Sequence, residues 1–407
     1  MNILFLTQYC PPEVGAPQNR IFEFAKCLKK YGHEVSILTA MPNYPKGEIF
    51  EGYKGKKSLL EEIECIKIIR TSIYATKSNK FTKRLRNYLS FSISSVITGR
   101  KYVKNVDVII TESPPLFLGY SGYLLSRIKK CKYVFNVSDL WPESAVKLGV
   151  LHNKFLINAS TWLEEFCYKK ADLITGQTRG IVDNIKSRIA QKDKVHLLTN
   201  GVDTELFGRE NRSEDLRREW GISDKFAACY AGIHGIAQGL EVIINAAKLL
   251  RDNENICFVF IGEGPEKQKL ISLKEKYKLN NVLFFPMQAK KQMPRIIASM
   301  DAAVIPLKKL DLFKGALPSK MFEALASELP IVLSVEGEAE KLIRSADAGI
   351  CVEPENSEEI AQAVLKLYKD EGLRKHFGEN GRQYVMNNYS RQNISKMFEG
   401  LLQSLIK

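Results

Sequence analysis

Two separate starts of the same pattern, a short apolar run followed by a segment of helical spacing, constrain this chain most. Asn2-Ile3-Leu4-Phe5-Leu6-Thr7 is an unbroken strand signal, and a turn-rich loop follows over residues 8–17. Residues 18–31 then have helical spacing, with Ile21, Phe24, Ala25 and Leu28 apolar, and Glu34 to Thr39 is the next strand, completing a βαβ unit. Strand runs recur at 106–111, 133–137, 172–175 and from Val195, with helical spacing over 116–128 and 179–190. After a charged stretch, 208–220, the pattern restarts. Strand runs fall at 226–231, 256–261, 282–287, 302–307 and 331–335, a helix starts at Leu240, and helices are predicted over 358–368, 371–386 and 390–407. Continuous apolar strands alternating with helices predict parallel sheets covered on both faces. A chain of 407 residues exceeds one ordinary core. The expected architecture is α/β, with two Rossmann-like doubly wound domains, 1–207 and 208–388, and a terminal helix, 389–407.

Net charge is +14, and its distribution matters more than its size. Residues 1–207 carry 31 Lys/Arg against 19 Asp/Glu; the remainder carries 29 against 27. A basic first half points to a polyanion or an anionic membrane near it. The eight cysteines are scattered without C-x-x-C spacing, so no zinc site and a reducing compartment are expected. No apolar run reaches about 18 residues, the length of a membrane-crossing helix, and no signal-peptide pattern is visible. The expected location is cytoplasmic.

The most informative stretch is 315–333. Gly315 and Pro318 lead into helix formers from Lys320 to Ala326, with Ser319 as N-cap. Pro330 ends the helix, because proline disfavours α geometry in the residue before it, and Ile331–Val335 is a buried strand. A helix N-terminus offers free N–H groups and partial positive charge, which suit phosphate. Ser319 and Lys320 add a hydroxyl and an ammonium there. Glu323, one turn on, supplies a carboxylate that can accept from two ribose hydroxyls. The combination reads as a pocket for the diphosphate of a nucleotide sugar.

P-S-K-x-F-E-A-L-A, followed by P-I-V, resembles the donor site of the retaining glycosyltransferases of family 4, which have the GT-B fold, two Rossmann-like domains facing a central cleft. The segments D-L-W-P-E-S (139–144), P-N-Y-P-x-G (42–47) and A-Q-G-L (237–240) are similar to bacterial WbuB-like O-antigen and capsule enzymes. The family signature is Glu-x7-Glu. Glu323 matches the second glutamate, which holds the ribose; the first position is Gly315, so the donor-sugar contact made there in the family has no counterpart. The resemblance implies donor contacts at Gly15 in the first loop, at Gly232, His234 and Gln238 after strand 226–231, at Gly262, Glu263 and Gly264 (G-x-G-P), at Met287, and at Leu317, Pro318, Ser319, Lys320 and Glu323. Family members often carry Arg after the first glycine of the 232–239 loop and Lys before the last. Here those positions are Ile233 and Gln238, which leaves diphosphate charge to backbone, Lys320 and His234.

Asp139 directly follows strand 133–137, where α/β sheets place working groups. Its structural alternative is a helix cap or turn former; strand placement and motif together favour a catalytic part beside Lys320 and Glu323. Residues 77–104 hold eight Lys/Arg and no Asp/Glu, with Phe81, Leu85, Tyr88, Leu89, Ile93, Val96 and Ile97 on one side at helical spacing. Two readings stay open: a basic amphipathic helix near an anionic membrane, or a domain helix packed by that apolar stripe. Residues 41–58 read either as a substrate loop or as a surface excursion.

The resemblance implies a retaining transferase that moves a sugar from a UDP-sugar to a lipid-linked (undecaprenyl diphosphate) saccharide at the cytosolic membrane face. An N-acetylated or deoxy amino sugar is implied by subgroup. No cofactor, metal or nucleic acid partner is expected. Two rivals share parts of this pattern: a GT-B-like UDP-sugar 2-epimerase, with the same cradle and no acceptor, and a non-catalytic basic module for membrane or RNA.

Overall fold

The computed structural model describes residues 1–407 except 14, 15, 79, 148, 150 and 407, and omits the side chains of 16, 17, 19, 81 and 312. The chain divides into two compact units, Met1–Thr199 with Ile394–Lys407, and Asn200–Asn393.

The first unit runs β1 (Asn2–Leu6), α1 (Ala16–Lys30), β2 (Glu34–Ala40), β3 (Ser58–Ile63), β4 (Ile66–Thr71), α2 (Phe81–Tyr102), β5 (Val108–Ser113), α3 (Phe117–Lys129), β6 (Lys132–Val137), α4 (Glu143–Lys147), α5 (Lys154–Lys170), β7 (Leu173–Gly176), α6 (Arg179–Arg188) and β8 (Val195–Leu197). Its sheet has the order β3-β4-β2-β1-β5-β6-β7-β8, and only β3–β4 is antiparallel. The β3–β4 hairpin has no counterpart among the strands expected from sequence. Its outer strand is edge-like, half polar (Ser58, Glu61, Glu62), and lacks the apolar run that marks the buried strands. The sheet has a core on each face. Ile3, Phe5, Val108 and Ile110 pack on α1 on one face. Leu4, Leu6, Leu38 and Ile109 pack under α2 and α3 on the other, continued by Tyr133 and Phe135 under α3, α5 and α6. The loop after β2 is anchored at its start: Glu13 accepts from the backbone N–H groups of Cys10 (3.1 Å), Asn43 (2.8 Å) and Tyr44 (2.8 Å).

Helix α2 does not pack by the apolar stripe that one of its two readings assigns to the domain core. The residues it buries are Asn87, Phe91, Ser92, Ser95, Thr98 and Gly99. Of the stripe identified by spacing, Leu89, Ile93 and Ile97 are exposed. Small residues allow the close approach: a Cβ at Gly99 would stand 2.7 Å from the Leu125 side chain, and Ser121 Oγ donates to the Ser92 carbonyl at 2.8 Å.

The second unit runs α7 (Glu214–Glu219), β9 (Phe226–Ala231), α8 (Glu241–Leu249), β10 (Ile256–Ile261), α9 (Lys267–Tyr277), β11 (Val282–Phe285), α10 (Met293–Ala298), β12 (Ala302–Pro306), α11 (Ser319–Ala326), β13 (Ile331–Ser334), α12 (Glu338–Ala346), β14 (Gly349–Cys351), α13 (Ser357–Lys369) and α14 (Glu371–Asn388). The last helix, α15 (Arg391–Ile406), lies in the first unit from Ile394 onward, where Phe398 meets Phe24 edge to face at 6.0 Å. The second sheet is parallel throughout, in the order β11-β10-β9-β12-β13-β14.

The unit boundary falls at 199, not at 207. Val202 donates to the Tyr389 carbonyl (3.0 Å) and Phe207 is buried in the second unit's core. Arg209 reaches the Ala298 and Met300 carbonyls at 3.2 and 3.1 Å. The charged stretch 208–220 is therefore strapped to the sheet. Arg217, buried, donates to the Ser299 carbonyl (2.7 Å) and pairs with Asp301 at 3.0 Å.

Candidate active site

In the second unit the strand order reverses between β9 and β12, the position where open α/β sheets bind ligands beyond the strand ends. The loops leaving those two strands meet there. Lys308 N–H donates to the Ala237 carbonyl at 3.0 Å. A Cβ on Gly232 would come within 2.7 Å of the Lys320 ammonium.

The glycines of this region are required by contact. Gly232 and Gly262 both have φ +145°, a conformation that side chains resist. A Cβ on Gly262 would lie less than 3.0 Å from the Gly232 carbonyl oxygen, and one on Gly264 less than 3.0 Å from the His234 carbonyl oxygen. The 232–235 and 262–264 loops are thus interlocked backbone on backbone, held by His234 N–H to the Glu263 carbonyl (2.9 Å) and Glu266 N–H to the His234 carbonyl (2.9 Å). Gly262→Ala is expected to cost about 2–3 kcal/mol through the clash and the strained φ. Urea unfolding of that variant checks this, with Gly315→Ala, which has open space around it, as the control expected to stay within about 1 kcal/mol.

Helix α11 begins one residue earlier in role than its sequence suggests. Pro318 occupies the N-cap without a side-chain cap bond, and Ser319 is the first helical residue. Proline has no N–H to cap and its fixed φ enters the helix directly, which leaves the Ser319 hydroxyl free of capping duty. Leu317 is buried in the core and anchors the loop. The Lys320 ammonium sits 3.7 Å from the centroid of the Tyr230 ring. Among the described residues no carboxylate lies within ion-pair distance of it. Burial pushes its pKa down to about 7, with Glu323 opposing the shift. The Glu323 carboxyl is pushed up, chiefly by burial, against the pull of Arg391, Lys320 and Lys290. Burial thus disfavours the charged form of both groups, a cost that a ligand carrying the complementary groups offsets.

His234 is neither a solvent-exposed loop residue nor a cation. It is fully buried among the rings of Tyr230, Phe260 and Phe284, with centroids at 5.9, 6.1 and 6.2 Å. Burial, aided by Lys267, holds its pKa down to about 4. In the free protein its imidazole is held neutral, and its backbone interlocks the two loops. Gln238 is the last residue of the short turn Ile236–Gln238, which Gly239 caps with φ +59°. Glu263 is exposed and salt-bridged to Lys267 at 2.7 Å, while Lys267 also donates to the Gly262 carbonyl at 3.0 Å. Met287 follows β11 at the sheet edge, exposed. Gly15 lies outside the described residues.

The second unit thus gathers Gly232, His234, Gly262, Gly264 and Lys320. Tyr230, the floor under Lys320, escaped the sequence reading, although its place two residues before Gly232 marks it as the last large side chain of β9. Arg391 and Lys290, which bias Glu323, carry no local motif. Asp139 belongs to the first unit, just beyond β6. It is half-buried, accepts from Ser144 Oγ at 2.9 Å, and burial raises its pKa.

Residues 212–384 match the model of glycosyl transferases group 1, and residues 18–206 match that of glycosyltransferase family 4. The chain belongs to glycosyltransferase family 4. This glycosyltransferase is 26% identical to the putative colanic acid biosynthesis glycosyl transferase WcaI of Escherichia coli, over 98% of each chain. Its fold is GT-B. Sucrose-phosphate synthase from Thermosynechococcus elongatus superposes with a TM-score of 0.76 at 15% identity, covering 100% of this chain and 99% of that one. Anabaena HepE in complex with UDP and glucose gives 0.75 at 16%, covering 99% and 100%. Among the described residues no helix is long and apolar enough to cross a membrane, and no group of three His, Cys, Asp or Glu could hold a metal ion.

Proposed function

We propose that this glycosyltransferase transfers a sugar, with retention at the anomeric carbon, from a UDP-sugar to a lipid-linked saccharide in bacterial surface-polysaccharide synthesis. The observation that carries the reading is the Lys320 ammonium beside Gly232 at the strand-order reversal, without a carboxylate partner among the described residues. A departing diphosphate there meets that ammonium and the N-terminal N–H groups of α11, which stabilise its developing charge. The backbone N–H groups of the 232–235 turn supply the remaining donors. Glu323 accepts from the ribose hydroxyls. Asp139 orients the donor sugar or receives the acceptor proton. The occurrence of UDP with the HepE structure and the polysaccharide role in the name of WcaI support the donor and the pathway class. The enzyme works at the cytosolic face of the membrane and needs no cofactor or metal.

The test is a panel of nucleotide sugars in a thermal-shift assay on the full chain, followed by transfer to an undecaprenyl-diphosphate-linked acceptor with EDTA present. UDP and one UDP-sugar are expected to raise Tm by several degrees, as ligands that bind only the folded state do. Failure of every uridine nucleotide to stabilise the protein, or an epimer formed from donor alone, overturns the reading. Asp139→Asn is expected to lower kcat about 10²-fold or more while leaving the donor KM within about twofold, as removal of a proton-handling group does.

A further inference from the structure

The first unit carries a face that water should not be left to cover. Helices α2, α3, α5 and α6 lie on one side of the sheet, and α3 packs between α2 and α5. On the outer surface of this layer α2 is inside out. Its small and polar residues, with Phe91, face the protein, and Leu89, Ile93 and Ile97, at i, i+4 and i+8, face outward, the last two 63% and 67% exposed. On α5, Phe155 and Trp162, seven residues apart, are 78% and 63% exposed. Tyr120 of α3 is exposed as well and meets Phe166 of α5 at 5.7 Å, while Trp162 stacks on Phe166 at 5.7 Å. An ordinary surface helix turns its apolar stripe inward. Large apolar side chains exposed on neighbouring helices mark an interaction surface.

The charges around the stripe select the partner. Helix α2 has five Lys/Arg (83, 84, 86, 100 and 101) and α3 has Arg127 and Lys129; neither has an Asp or Glu. Helix α5 adds Lys154, Lys169 and Lys170. Its two acids, Glu164 and Glu165, are paired with Arg188 at 2.6 and 3.4 Å. Aliphatic and aromatic side chains rimmed by uncompensated Lys and Arg match the acyl–headgroup boundary of an anionic bilayer. Tryptophan and tyrosine, with an apolar body and a polar edge, suit that depth.

We propose that the α2–α3–α5 face docks on the surface of an anionic lipid bilayer, with Ile93, Ile97, Phe155 and Trp162 inserted and the basic residues on the headgroups. This docking stands apart from the sugar-transfer chemistry, and its readout contains no sugar. The full chain is mixed with sedimentable vesicles of phosphatidylglycerol and phosphatidylcholine, or of phosphatidylcholine alone. Binding to the anionic vesicles is expected, weakening as salt rises. The double variant Ile93→Glu, Ile97→Glu is expected to bind at least about tenfold more weakly. Because both positions are already exposed, its melting temperature and its UDP response should match wild type. A second variant, Trp162→Ala, should weaken binding by a smaller factor. Equal binding by wild type and the double variant, or no binding to anionic vesicles, overturns the proposal. So does a wild-type dimer in solution that the double variant splits, since the face would then be occupied by a second copy.

Discussion

Lys320→Ala is expected to reduce sugar transfer about 10³-fold, the range seen when one preorganised charge or donor is removed from a developing anion. The ammonium sits against the Tyr230 ring, beside Gly232, without a carboxylate partner among the described residues. The protein therefore bears the cost of a poorly solvated cation, expressed as a pKa lowered from 10.5 to about 7. A bound diphosphate reverses that cost by favouring the protonated form. Three consequences follow from the sign. Because the free folded protein releases this proton near pH 7, kcat/KM should fall as pH rises above about 7, and Lys320→Arg should move that limb upward. UDP binding at pH 8 should take up protons, visible as a binding enthalpy that depends on the ionisation enthalpy of the buffer. For stability, the unfolded chain holds the proton up to 10.5, so the free protein gains stability as pH rises from about 7 toward that value. Lys320→Met should accordingly melt higher than wild type at pH 6 while being inactive. A Lys320→Ala enzyme with near-normal transfer would remove the leaving-group assignment.

Glu323→Ala is expected to lower kcat/KM about 10²- to 10³-fold, mostly through donor KM. Hydrogen bonds to a charged acceptor contribute about 1.5–3 kcal/mol each, and a ribose diol offers two. The Glu323 carboxyl is held on α11, where burial raises its pKa against the opposing pull of Arg391, Lys320 and Lys290. Isothermal titration separates the terms. UDP affinity should drop by the full factor, whereas affinity for inorganic diphosphate, which lacks the ribose, should stay within about threefold. Glu323→Gln keeps one acceptor oxygen and should fall between wild type and Ala. If UDP binds the Ala variant as tightly as wild type, the ribose contact lies elsewhere.

Periodicity was sufficient for the strands that are buried on both faces, because such strands read as uninterrupted apolar runs; β1, β9, β10 and β12 all stand where their runs predict. It was insufficient for β3 and β4, since a hairpin at a sheet edge mixes polar and apolar positions and looks like a loop. Helix α2 was left open between two readings for a related reason. Spacing identifies an apolar stripe, but a stripe has no sign, and only packing tells whether the protein or something else covers it. His234 shows the same limit at the level of one residue. Its place in a glycine loop suggests a cation for phosphate, whereas three aromatic rings around it leave a neutral imidazole.

By itself the sequence determined two doubly wound parallel sheets and the short helix before Pro330, with Lys320 and Glu323 one turn apart. These are local quantities: apolar runs, helix formers, a proline and a spacing of three, each legible without knowing what packs where. Only the tertiary structure decided that the loops after β9 and β10 interlock through Gly232 and Gly262, that Tyr230 lies beneath Lys320, and that the strap from Asn200 belongs to the second unit. It also decided that the apolar side of α2 faces outward. Those facts depend on desolvation and close approach between residues far apart in the chain, and the free energy of a buried charge or a backbone contact is set by its surroundings, which no stretch of sequence contains.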